Sequence, residues 1–327
     1  MIGLSEIVPV ADPAIVDFMG RVEELLTGSA EWTSGLTART GRETLLAGGK
    51  RLRPHLVFLS APTAGRDREA LVRAAVATEL IHMATLIHDD VIDRAELRRG
   101  RPTVWATEGD AVATSTGDNL FARAFAVLAR TGDADALTDL AECALGLSDG
   151  EALQMLQSRH AETTPAQYLE RCTLKTGLLF RTACSLGGRL GGIDPAAVDH
   201  LGDYGRSLGL AFQVADDVLD CGGETAATGK PIGTDLLDGT ATLPLLLAAR
   251  ADAAVAAALA VQPEPFEVLP ILLRVAETGA LEEAREIALD FVAAALASLD
   301  EIDVICGDAI DTSALRTVAA SVVDRAG

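Results

Sequence analysis

The sequence has few aromatic residues and no uninterrupted apolar run of the roughly 18 residues that a membrane-spanning helix needs. Aromatic residues make up 4% of the 327 residues, although hydrophobic residues as a whole make up 49%. Because strands favour β-branched and aromatic residues while Ala and Leu favour helices, this composition favours packed helices over a sheet. No Lys or Arg precedes Arg21, so the basic start of a signal peptide is missing and we expect a soluble protein.

Cysteine and positive charge are also scarce. The five cysteines are scattered, odd in number and without a Cys-x-x-Cys pair, which favours a reduced, cytoplasmic protein. The chain has 27 Lys and Arg against 48 Asp and Glu, a net charge of −21. This charge excludes a general electrostatic attraction to nucleic acid or to anionic lipid. Any anionic ligand must therefore be held by a local basic cluster.

No repeat, low-complexity tract or Pro/Gly/Ser-rich linker divides the chain, so we expect a single domain over residues 1–327. Helical periodicity runs through nearly all of it, and no convincing strand pattern interrupts it. The predicted helices span 13–27, 38–47, 51–62, 68–93, 110–130, 134–158, 165–191, 195–220, 241–260, 266–277, 280–299 and 312–325. The fold class is therefore all-α, a single large helix bundle whose ligand site is built from inward-facing side chains around a central cavity.

A polar stripe follows the otherwise apolar segment 71–93. Its members recur every three or four residues and are Thr78, His82, Thr85, Asp89 and Asp93. At about 3.6 residues per turn they share one helix face, which should line a cavity rather than face bulk water. The stripe ends in a DDxxD motif formed by Asp89, Asp90 and Asp93. Its two outer carboxylates lie one turn apart and can share hard cations.

A second DDxxD motif comprises Asp216, Asp217 and Asp220, with Gln213 one turn earlier and Gly222 as a plausible helix stop. One copy alone is equally well explained as a solvated acidic helix end. Two copies, each fused to an apolar helix, bring like charges together. Their repulsion costs about 1 kcal/mol per close pair in water and several kcal/mol at an effective dielectric near 20. A set of oxygen ligands selects Mg²⁺, which completes its shell with water and substrate phosphate oxygens. The pattern therefore predicts a diphosphate ligand.

Two clusters of cations stand against the acidic background. They are Lys50, Arg51 and Arg53 after Gly48-Gly49, and Arg98, Arg99 and Arg101. Arginine forks match phosphate oxygens, and lysine supplies a point charge. Lys175 and Lys230 also stand out in this lysine-poor chain, although a single lysine is more often a solvated surface charge. The segment around Lys230 lacks the GxxxxGK[ST] order of a P-loop, so it does not predict nucleotide binding.

These motifs together resemble the trans-type polyprenyl diphosphate synthases, the family of farnesyl, geranylgeranyl and longer-chain synthases. The matching segments run in order along nearly the whole chain: GGKRLRP at 48–54, ELIHMATLIHDDVID at 79–93, RRGRPT at 98–103, GDNLFARAF at 117–125, GEALQM at 150–155, KTGLLF at 175–180, FQVADDVLD at 212–220 and GKPIGTDLLDGTATLPLL at 229–246. The resemblance implies the isoprenoid synthase type of bundle. It also implies a homodimer that condenses isopentenyl diphosphate with an allylic diphosphate, using three Mg²⁺ ions per site.

The resemblance also implies the site residues. The Mg²⁺ ligands are Asp89, Asp93 and Asp216, supported by Asp90, Asp217 and Asp220. The partners of the allylic diphosphate are Arg98, Lys175 and Lys230. The isopentenyl diphosphate site comprises Lys50, Arg53, His82 and Arg99, with Arg51 as a weaker candidate. Lys175, Thr176 and Gln213 are the catalytic candidates, since the oxygens of the last two can stabilise an allylic cation.

One departure from the family pattern is Thr240, which stands where many relatives have a second lysine before the TLP segment. It leaves the expected allylic site one cation short, while every acidic ligand is kept.

Three other functions fit parts of the sequence. A class I terpene cyclase shares the bundle and the first acidic motif, but it should lack the two basic clusters and carry a mixed second motif. A ferritin-like di-iron protein needs two Glu-x-x-His motifs, and only Glu79 and His82 form one. A non-catalytic synthase subunit typically loses acidic ligands, and this chain has lost none.

The residues before the first DDxxD motif indicate a long product. Family enzymes with short products carry a bulky aromatic residue four or five positions before the first Asp, where this chain has Thr85 and Ala84. One turn further back lies Ile81, which is not aromatic either. Other candidates for the floor of the tunnel are Phe121, Phe125 and Met155. We therefore expect a hexaprenyl to nonaprenyl product, with geranylgeranyl or farnesyl diphosphate as the alternative.

Overall fold

The computed structural model describes residues 12–28, 35–65, 68–222 and 232–323. Within these ranges the fold is almost entirely helical, and one short hairpin pairs β1 (Leu97–Arg98) with β2 (Arg101–Pro102). The α-helices are α1 (Pro13–Thr27), α2 (Leu36–Leu46), α3 (Leu52–Leu59), α4 (Glu69–Ile92), α5 (Val104–Glu108), α6 (Asp110–Ala129), α7 (Ala134–Gln157), α8 (Pro165–Cys172), α9 (Leu178–Gly191), α10 (Pro195–Gly222), α11 (Thr234–Asp238), α12 (Leu243–Ala251), α13 (Ala253–Ala260), α14 (Pro265–Glu277), α15 (Ala280–Cys306) and α16 (Ser313–Val323). A π-helical turn, Thr173–Gly177, joins α8 to α9. Two 3₁₀ turns complete the described structure, Thr63–Gly65 and Gly307–Ala309.

Helix α4 is the centre of the bundle. It packs against α1, α3, α6 and α9, and most of its Ala, Leu, Ile and Val side chains are buried, although Ile92 at its end is exposed. By length and composition alone it could cross a membrane, but 72% of its most apolar window is buried inside the fold. A helix that is apolar all round and covered by other helices is a core helix.

Close packing between α9 and α10 brings a second set of polar residues to that core. Gly205 and Gly209 on α10 face α9, where a Cβ at Gly205 would lie 2.5 Å from the carbonyl oxygen of Phe180. A Cβ at Gly209 would lie 3.0 Å from the Cα of Gly177. Because neither position can carry a side chain without displacing backbone, the two helices approach unusually closely. The π-helical turn is thereby held against the face of α10 that carries the second acidic motif.

The predicted all-α class is confirmed, but several details of the prediction are wrong, including the end of the helix predicted at 280–299, which runs on to Cys306. The segment 165–191 is not one helix, because the π-helical turn interrupts it. The segment 241–260 breaks at Asp252, whose extended backbone ends α12 and whose carboxylate accepts hydrogen bonds from Ala254 and Val255 at the start of α13. The expected lack of strands overlooked the hairpin β1–β2. Two-residue strands carry too little alternation for a period of two to be recognised.

The proposed diphosphate contact of Arg51 is wrong, because this side chain is used inside the core. Its Nε donates to Glu23 at 2.7 Å, and its Nη1 donates at 2.9 Å to Glu79 on α4. Its Nη2 donates to the carbonyl oxygen of Leu45 at 2.8 Å. Arg51 is 7% exposed and Glu79 is 2% exposed, so these bonds satisfy a buried charge on each partner. The pair connects α1, α2 and α3 to the central helix.

Loss of the Arg51 guanidinium is expected to destabilise the fold strongly. The substitution Arg51→Met keeps the apolar stem but leaves the Glu79 carboxylate buried without its cation, which should cost about 3 kcal/mol of unfolding free energy. The control is Arg21→Met, which breaks an exposed pair with Glu69 and should cost less than about 1 kcal/mol. Urea denaturation of both variants measures the difference. Equal losses would show that the buried pair has no special role.

Candidate active site

The hairpin presents arginines beside the end of α4. Arg98 pairs with Arg101 across the strands, and the two residues between them, Arg99 and Gly100, have φ values of +53° and +73°. Positive φ at both central residues is the geometry of a type I′ turn, in which Gly is unstrained. The tight turn holds the arginines of this segment close to one another.

Two contacts fix the hairpin against the rest of the site. The Nε of Arg98 donates to Asp90 at 2.7 Å, and both side chains are partly or largely buried. The Nη1 of Arg99 donates to the carbonyl oxygen of Gly48, which precedes the first basic cluster. A Cβ at Gly49 would lie 2.8 Å from that same Nη1, so the Gly-Gly sequence leaves room for Arg99. The two basic clusters, separated in sequence, thus become one surface.

Arg53 is the innermost cation of this surface. Its guanidinium carbon lies 4.7 Å from the centre of the Phe180 ring, and its buried Nε has no hydrogen-bond partner among the residues that the structure describes. Burial lowers the pKa of Arg53 to about 10, against the opposing charge of Glu79. Burial also lowers the pKa of His82 well below its usual range, and the charges of Arg53, Arg99, Arg98 and Arg51 add to this effect. His82 is therefore neutral at pH 7. This group of cations around a neutral imidazole suits an incoming anion.

Lys50 lies at the edge of the same surface. It directly precedes Arg51 and is exposed to solvent, as is Arg99. An exposed ammonium can move to meet a charged ligand, whereas Arg53 is fixed by its contact with Phe180. Of the four residues predicted for isopentenyl diphosphate, Arg53, Arg99 and His82 are therefore brought within electrostatic reach of one another, and Lys50 adjoins them.

Lys175 connects to the first DDxxD motif. Its Nζ forms an ion pair with Glu151 on α7 and lies 3.5 Å from Asp89 Oδ1. Burial raises the pKa of Asp89 to about 6; Lys175 opposes the increase, while Glu151 and Asp93 add to it. Burial also raises the pKa of Asp93, and the charges of Asp238 and Glu151 contribute to that shift. The first motif is thus short of positive charge even with Lys175 beside it.

The π-helical turn explains how adjacent residues reach different motifs. Its wider turn adds a residue between α8 and α9, and such turns are frequent at functional sites. Lys175 contacts Asp89 at the end of α4, while the hydroxyl of Thr176 donates to Gln213 Oε1 on α10 at 2.9 Å. The turn is also packed against α7, where a Cβ at Gly150 would lie 2.7 Å from the backbone nitrogen of Lys175. Of the three catalytic candidates, Lys175 and Thr176 therefore lie on this one rigid turn, and Gln213 contacts it.

The second DDxxD motif is held by hydrogen bonds to each of its supporting members. Asp217 Oδ1 accepts from Gln213 Nε2 at 2.8 Å, and Oδ2 accepts from the hydroxyl of Tyr168 at 2.6 Å. Burial raises the pKa of Asp217 to about 7, although both hydrogen bonds act in the opposite direction. The carboxylate of Asp220 accepts from the backbone N–H groups of Thr234 and Asp235, both at 3.1 Å. These bonds orient the motif and attach α11 to it.

Asp216 is the exposed member of this second motif. Beside it, the pKa of Asp235 is raised well above its usual range, by burial and then by the charges of Asp220, Asp217, Asp216 and Asp238. Since Asp238 also acts on Asp93, carboxylates from both motifs lie within one electrostatic neighbourhood. Their repulsion would be relieved by a bound cation.

The donor set fits Mg²⁺. The residues that could hold it are Asp89, Asp93 and Asp216, all of which offer carboxylate oxygen, the ligand type that Mg²⁺ prefers. No three His, Cys, Asp or Glu side chains form a ready metal cage within residues 12–28, 35–65, 68–222 and 232–323. Mg²⁺ commonly takes one or two carboxylates and fills the remaining positions with water and phosphate oxygens.

The candidates for control of product length lie along α4 and the helix beside it. Ala84 and Ile81 are fully buried, and the hydroxyl of Thr85 donates to the carbonyl oxygen of His82 at 2.8 Å. Phe121 on α6 is half-buried and stacks on His88 with ring centres 5.7 Å apart; Phe125, one turn later, is also half-buried. Met155 is 60% exposed, which argues against its proposed role as the floor of a tunnel. The polar stripe is also interrupted, because Thr78 is fully buried and bonds to its own helix at Ala75.

The sequence analysis also singled out Lys230 and Thr240. Lys230 lies outside the described residues. Thr240 is half-buried, and its backbone N–H donates to the carbonyl oxygen of Asp235 at 2.8 Å.

The sequence analysis missed several residues that the structure places in contact with the site. They are Glu151 beside Lys175, Tyr168 beside Asp217, Asp235 beside Asp220, and Phe180 beneath Arg53. Glu151, Phe180 and Asp235 each lie inside a segment that resembles the synthase family, and that resemblance could have indicated that they belong to the site. Tyr168 lies outside those segments. A tyrosine two turns before Lys175 has no spacing that indicates its partner.

The comparisons with known proteins agree with this geometry. The family model for polyprenyl synthetase matches residues 36–264. The heptaprenyl diphosphate synthase component 2 of Geobacillus stearothermophilus is 38% identical over 286 residues, covering 87% of this chain and 89% of the relative. The structure of heptaprenyl diphosphate synthase from Staphylococcus aureus superposes with a TM-score of 0.87 at 29% identity, covering 96% of this chain and 99% of the other. A Caulobacter crescentus polyprenyl synthase complexed with calcium and isoprenyl diphosphate gives 0.85 at 33% identity, covering 99% and 97%.

Removal of the innermost cation should weaken anion binding. The substitution Arg53→Gln keeps a polar side chain of similar reach, and we expect it to lower the affinity for inorganic diphosphate about ten-fold, as the loss of one charge-assisted hydrogen bond would. Isothermal titration calorimetry measures the change. Arg42→Gln, at an exposed arginine on α2, is the matched control and should bind like the wild type. Unchanged affinity in Arg53→Gln would show that the buried guanidinium does not face the ligand.

Proposed function

Because the chain belongs to the polyprenyl synthetase family, whose relatives above are prenyl diphosphate synthases, we propose that it condenses isopentenyl diphosphate head-to-tail with an allylic diphosphate. The chain is a prenyltransferase of the polyprenyl diphosphate synthase type. The observation that carries the proposed reaction is the π-helical turn, since its Lys175 lies beside Asp89 of the first acidic motif and its Thr176 reaches the second motif through Gln213. That arrangement suits a substrate whose diphosphate and reacting carbon lie between the motifs.

We propose Asp89, Asp93 and Asp216 as the Mg²⁺ ligands, with three ions per site. Asp90, Asp217 and Asp220 are proposed to support them, and each already accepts a hydrogen bond that fixes its carboxylate. Mg²⁺, when bound, supplies positive charge that stabilises diphosphate as a leaving group. The raised pKa values of Asp89 and Asp93, caused first by burial, support a site that gains from a cation.

The side chains of the protein divide the two substrates between them. We propose that Arg98, Lys175 and Lys230 hold the allylic diphosphate. The isopentenyl diphosphate is proposed to bind Lys50, Arg53, His82 and Arg99, where the neutral His82 can donate a hydrogen bond. The C–O bond of the allylic diphosphate then breaks, and the oxygens of Thr176 and Gln213 face the developing positive charge. The isopentenyl double bond forms the new C–C bond and a proton leaves, with the departing diphosphate as the proposed acceptor.

The product is proposed to be long, hexaprenyl to nonaprenyl. Support comes from the small side chains at Ala84 and Thr85, and from the names of two relatives, both heptaprenyl diphosphate synthases. We further propose a cytoplasmic single-domain homodimer that has no integral membrane segment and binds no nucleic acid. The name of the Geobacillus relative, component 2, raises the alternative of a partner subunit. Product formation by the purified chain alone would favour the homodimer.

Loss of either acidic motif should abolish turnover. In Asp89→Ala and Asp216→Ala a proposed direct ligand is removed, so we expect rates reduced by at least about 100-fold and little response to added Mg²⁺. Incorporation of labelled isopentenyl diphosphate, measured across a Mg²⁺ titration, checks this. The control Asp199→Ala removes an exposed carboxylate from the same helix as Asp216 and should keep full activity. A near-normal rate in either motif variant contradicts the metal assignment.

A bulky residue on α4 should shorten the product. Ala84→Phe places a ring one turn and one residue before Asp89, and we expect products of farnesyl or geranylgeranyl length with condensation retained. Thin-layer chromatography of the dephosphorylated products gives the length distribution. Ala70→Phe, near the other end of α4, is the control and should leave the distribution unchanged. If Ala84→Phe also leaves it unchanged, Ala84 does not line the tunnel.

A further inference from the structure

The chain contains two tyrosines, and they are used differently. Tyr168 and Tyr204 are both fully buried, and each hydroxyl makes a hydrogen bond. Tyr204 donates to a backbone carbonyl oxygen, that of Leu315, at 2.8 Å. Tyr168 donates at 2.6 Å to a carboxylate, Asp217 Oδ2, in the second acidic motif. The 2.6 Å distance between the two oxygens is shorter than the usual O–H···O hydrogen bond, so this tyrosine holds its partner firmly.

The bond from Tyr168 is the first in a chain of three. The carboxylate of Asp217 also accepts from Gln213 Nε2 at 2.8 Å, one turn earlier on α10. Because the amide nitrogen of Gln213 is committed to Asp217, its carbonyl oxygen must face the other way. That oxygen accepts the hydroxyl proton of Thr176 at 2.9 Å. Each link therefore fixes the direction of the next.

We propose that Tyr168 is a positioning residue that orients Gln213 and Thr176 so that their oxygen lone pairs face the positive carbon of the allylic substrate. This inference rests on the proposed function for the identity of the substrate. Tyr168 lies too deep to touch the substrate, so it acts through Asp217. Its neighbours on α8 reinforce the arrangement, since Arg171 lies 5.3 Å from the centre of the Tyr168 ring and donates to Gln157 and to the carbonyl oxygen of Ala241.

The direction of these three hydrogen bonds decides the sign of the partial charge that Thr176 presents to the substrate. With its proton given to Gln213, the Thr176 hydroxyl can offer only lone pairs to a third group, which attracts a cation. If the Gln213 amide were reversed, its NH₂ group would face Thr176, and the hydroxyl proton would be free to point at the substrate. The positive end of a dipole would then meet a positive carbon. The acceptor oxygen of Asp217 opposes this reversal, and the hydrogen bond from Tyr168 fixes the position of that carboxyl group.

The test compares two unreactive ligands that carry the same diphosphate. One is an ammonium analogue of the allylic substrate, in which a protonated nitrogen replaces the carbon that becomes positive. The other is a thiolodiphosphate analogue with a neutral carbon skeleton. Losses that affect the diphosphate or its ions change both affinities equally and cancel in their ratio. The ratio therefore reports only how the site treats positive charge at the reacting carbon.

We expect Tyr168→Phe to lower the preference for the ammonium analogue about ten-fold, equivalent to about 1.4 kcal/mol, with little change for the neutral analogue. In steady-state assays kcat should fall by a similar factor while both KM values stay within about two-fold, since the lost interaction acts in the transition state. Tyr204→Phe is the matched control. It also removes one buried tyrosine hydroxyl, and it should keep the wild-type preference and kcat. The melting temperatures of the two variants should be similar.

Asp217→Asn provides a second variant of nearly unchanged shape. Its NH₂ group can donate to Gln213 Oε1, which the carboxylate cannot, so the Gln213 amide is no longer held in one orientation and the preference for the ammonium analogue should fall. The inference is overturned if both variants keep that preference, or if they lose affinity for both analogues equally. Failure of the proposed function is recognised separately, because a wild-type protein that forms no elongated product can still show the preference and its loss in Tyr168→Phe.

Discussion

Repulsion among carboxylates in a largely apolar interior is the constraint on which the rest of this site depends. Asp89, Asp93, Asp217 and Asp235 all have raised pKa values with burial as the main cause, and like charges from neighbouring carboxylates add to each shift. Within the described part of the chain, Lys175 and Arg98 offset part of the negative charge of the first motif, and they do not contact the second. A site of this kind binds cations, and through them a polyanionic substrate. The chemistry proposed here follows from that imbalance.

The helical scaffold positions these charges by unusually close packing. Glycines on α10 let the π-helical turn approach, and that turn directs Lys175 and Thr176 to opposite motifs. In an ordinary α-helix, adjacent side chains point about 100° apart around the axis. The π-helical turn here contains one added residue, which widens the turn that carries Lys175 and Thr176. The result is a charged site beside a largely apolar helical core. The same rigidity makes the hydrogen-bond chain from Tyr168 to Thr176 possible.

The sequence allowed the fold class and the two acidic motifs to be predicted, because helical periodicity and DDxxD spacing are local signals. It misjudged Arg51, since the buried partner Glu79 lies 28 residues away and no local pattern shows which arginine turns inward. The hairpin was missed because its strands are two residues long. Tyr168 was missed for the same reason as Glu79: its partner is 49 residues distant and becomes a neighbour only when α8 packs against α10. The roles of the site residues remain predictions.

The most direct test of the central claim is to incubate the purified chain with labelled isopentenyl diphosphate and each allylic primer, with Mg²⁺ or with a chelator, and to size the products. The account predicts linear products longer than geranylgeranyl diphosphate that incorporate the label repeatedly and form only when Mg²⁺ is present. Products without incorporated label, such as cyclised hydrocarbons from the primer alone, would contradict it. So would elongation that continues unchanged in the chelator.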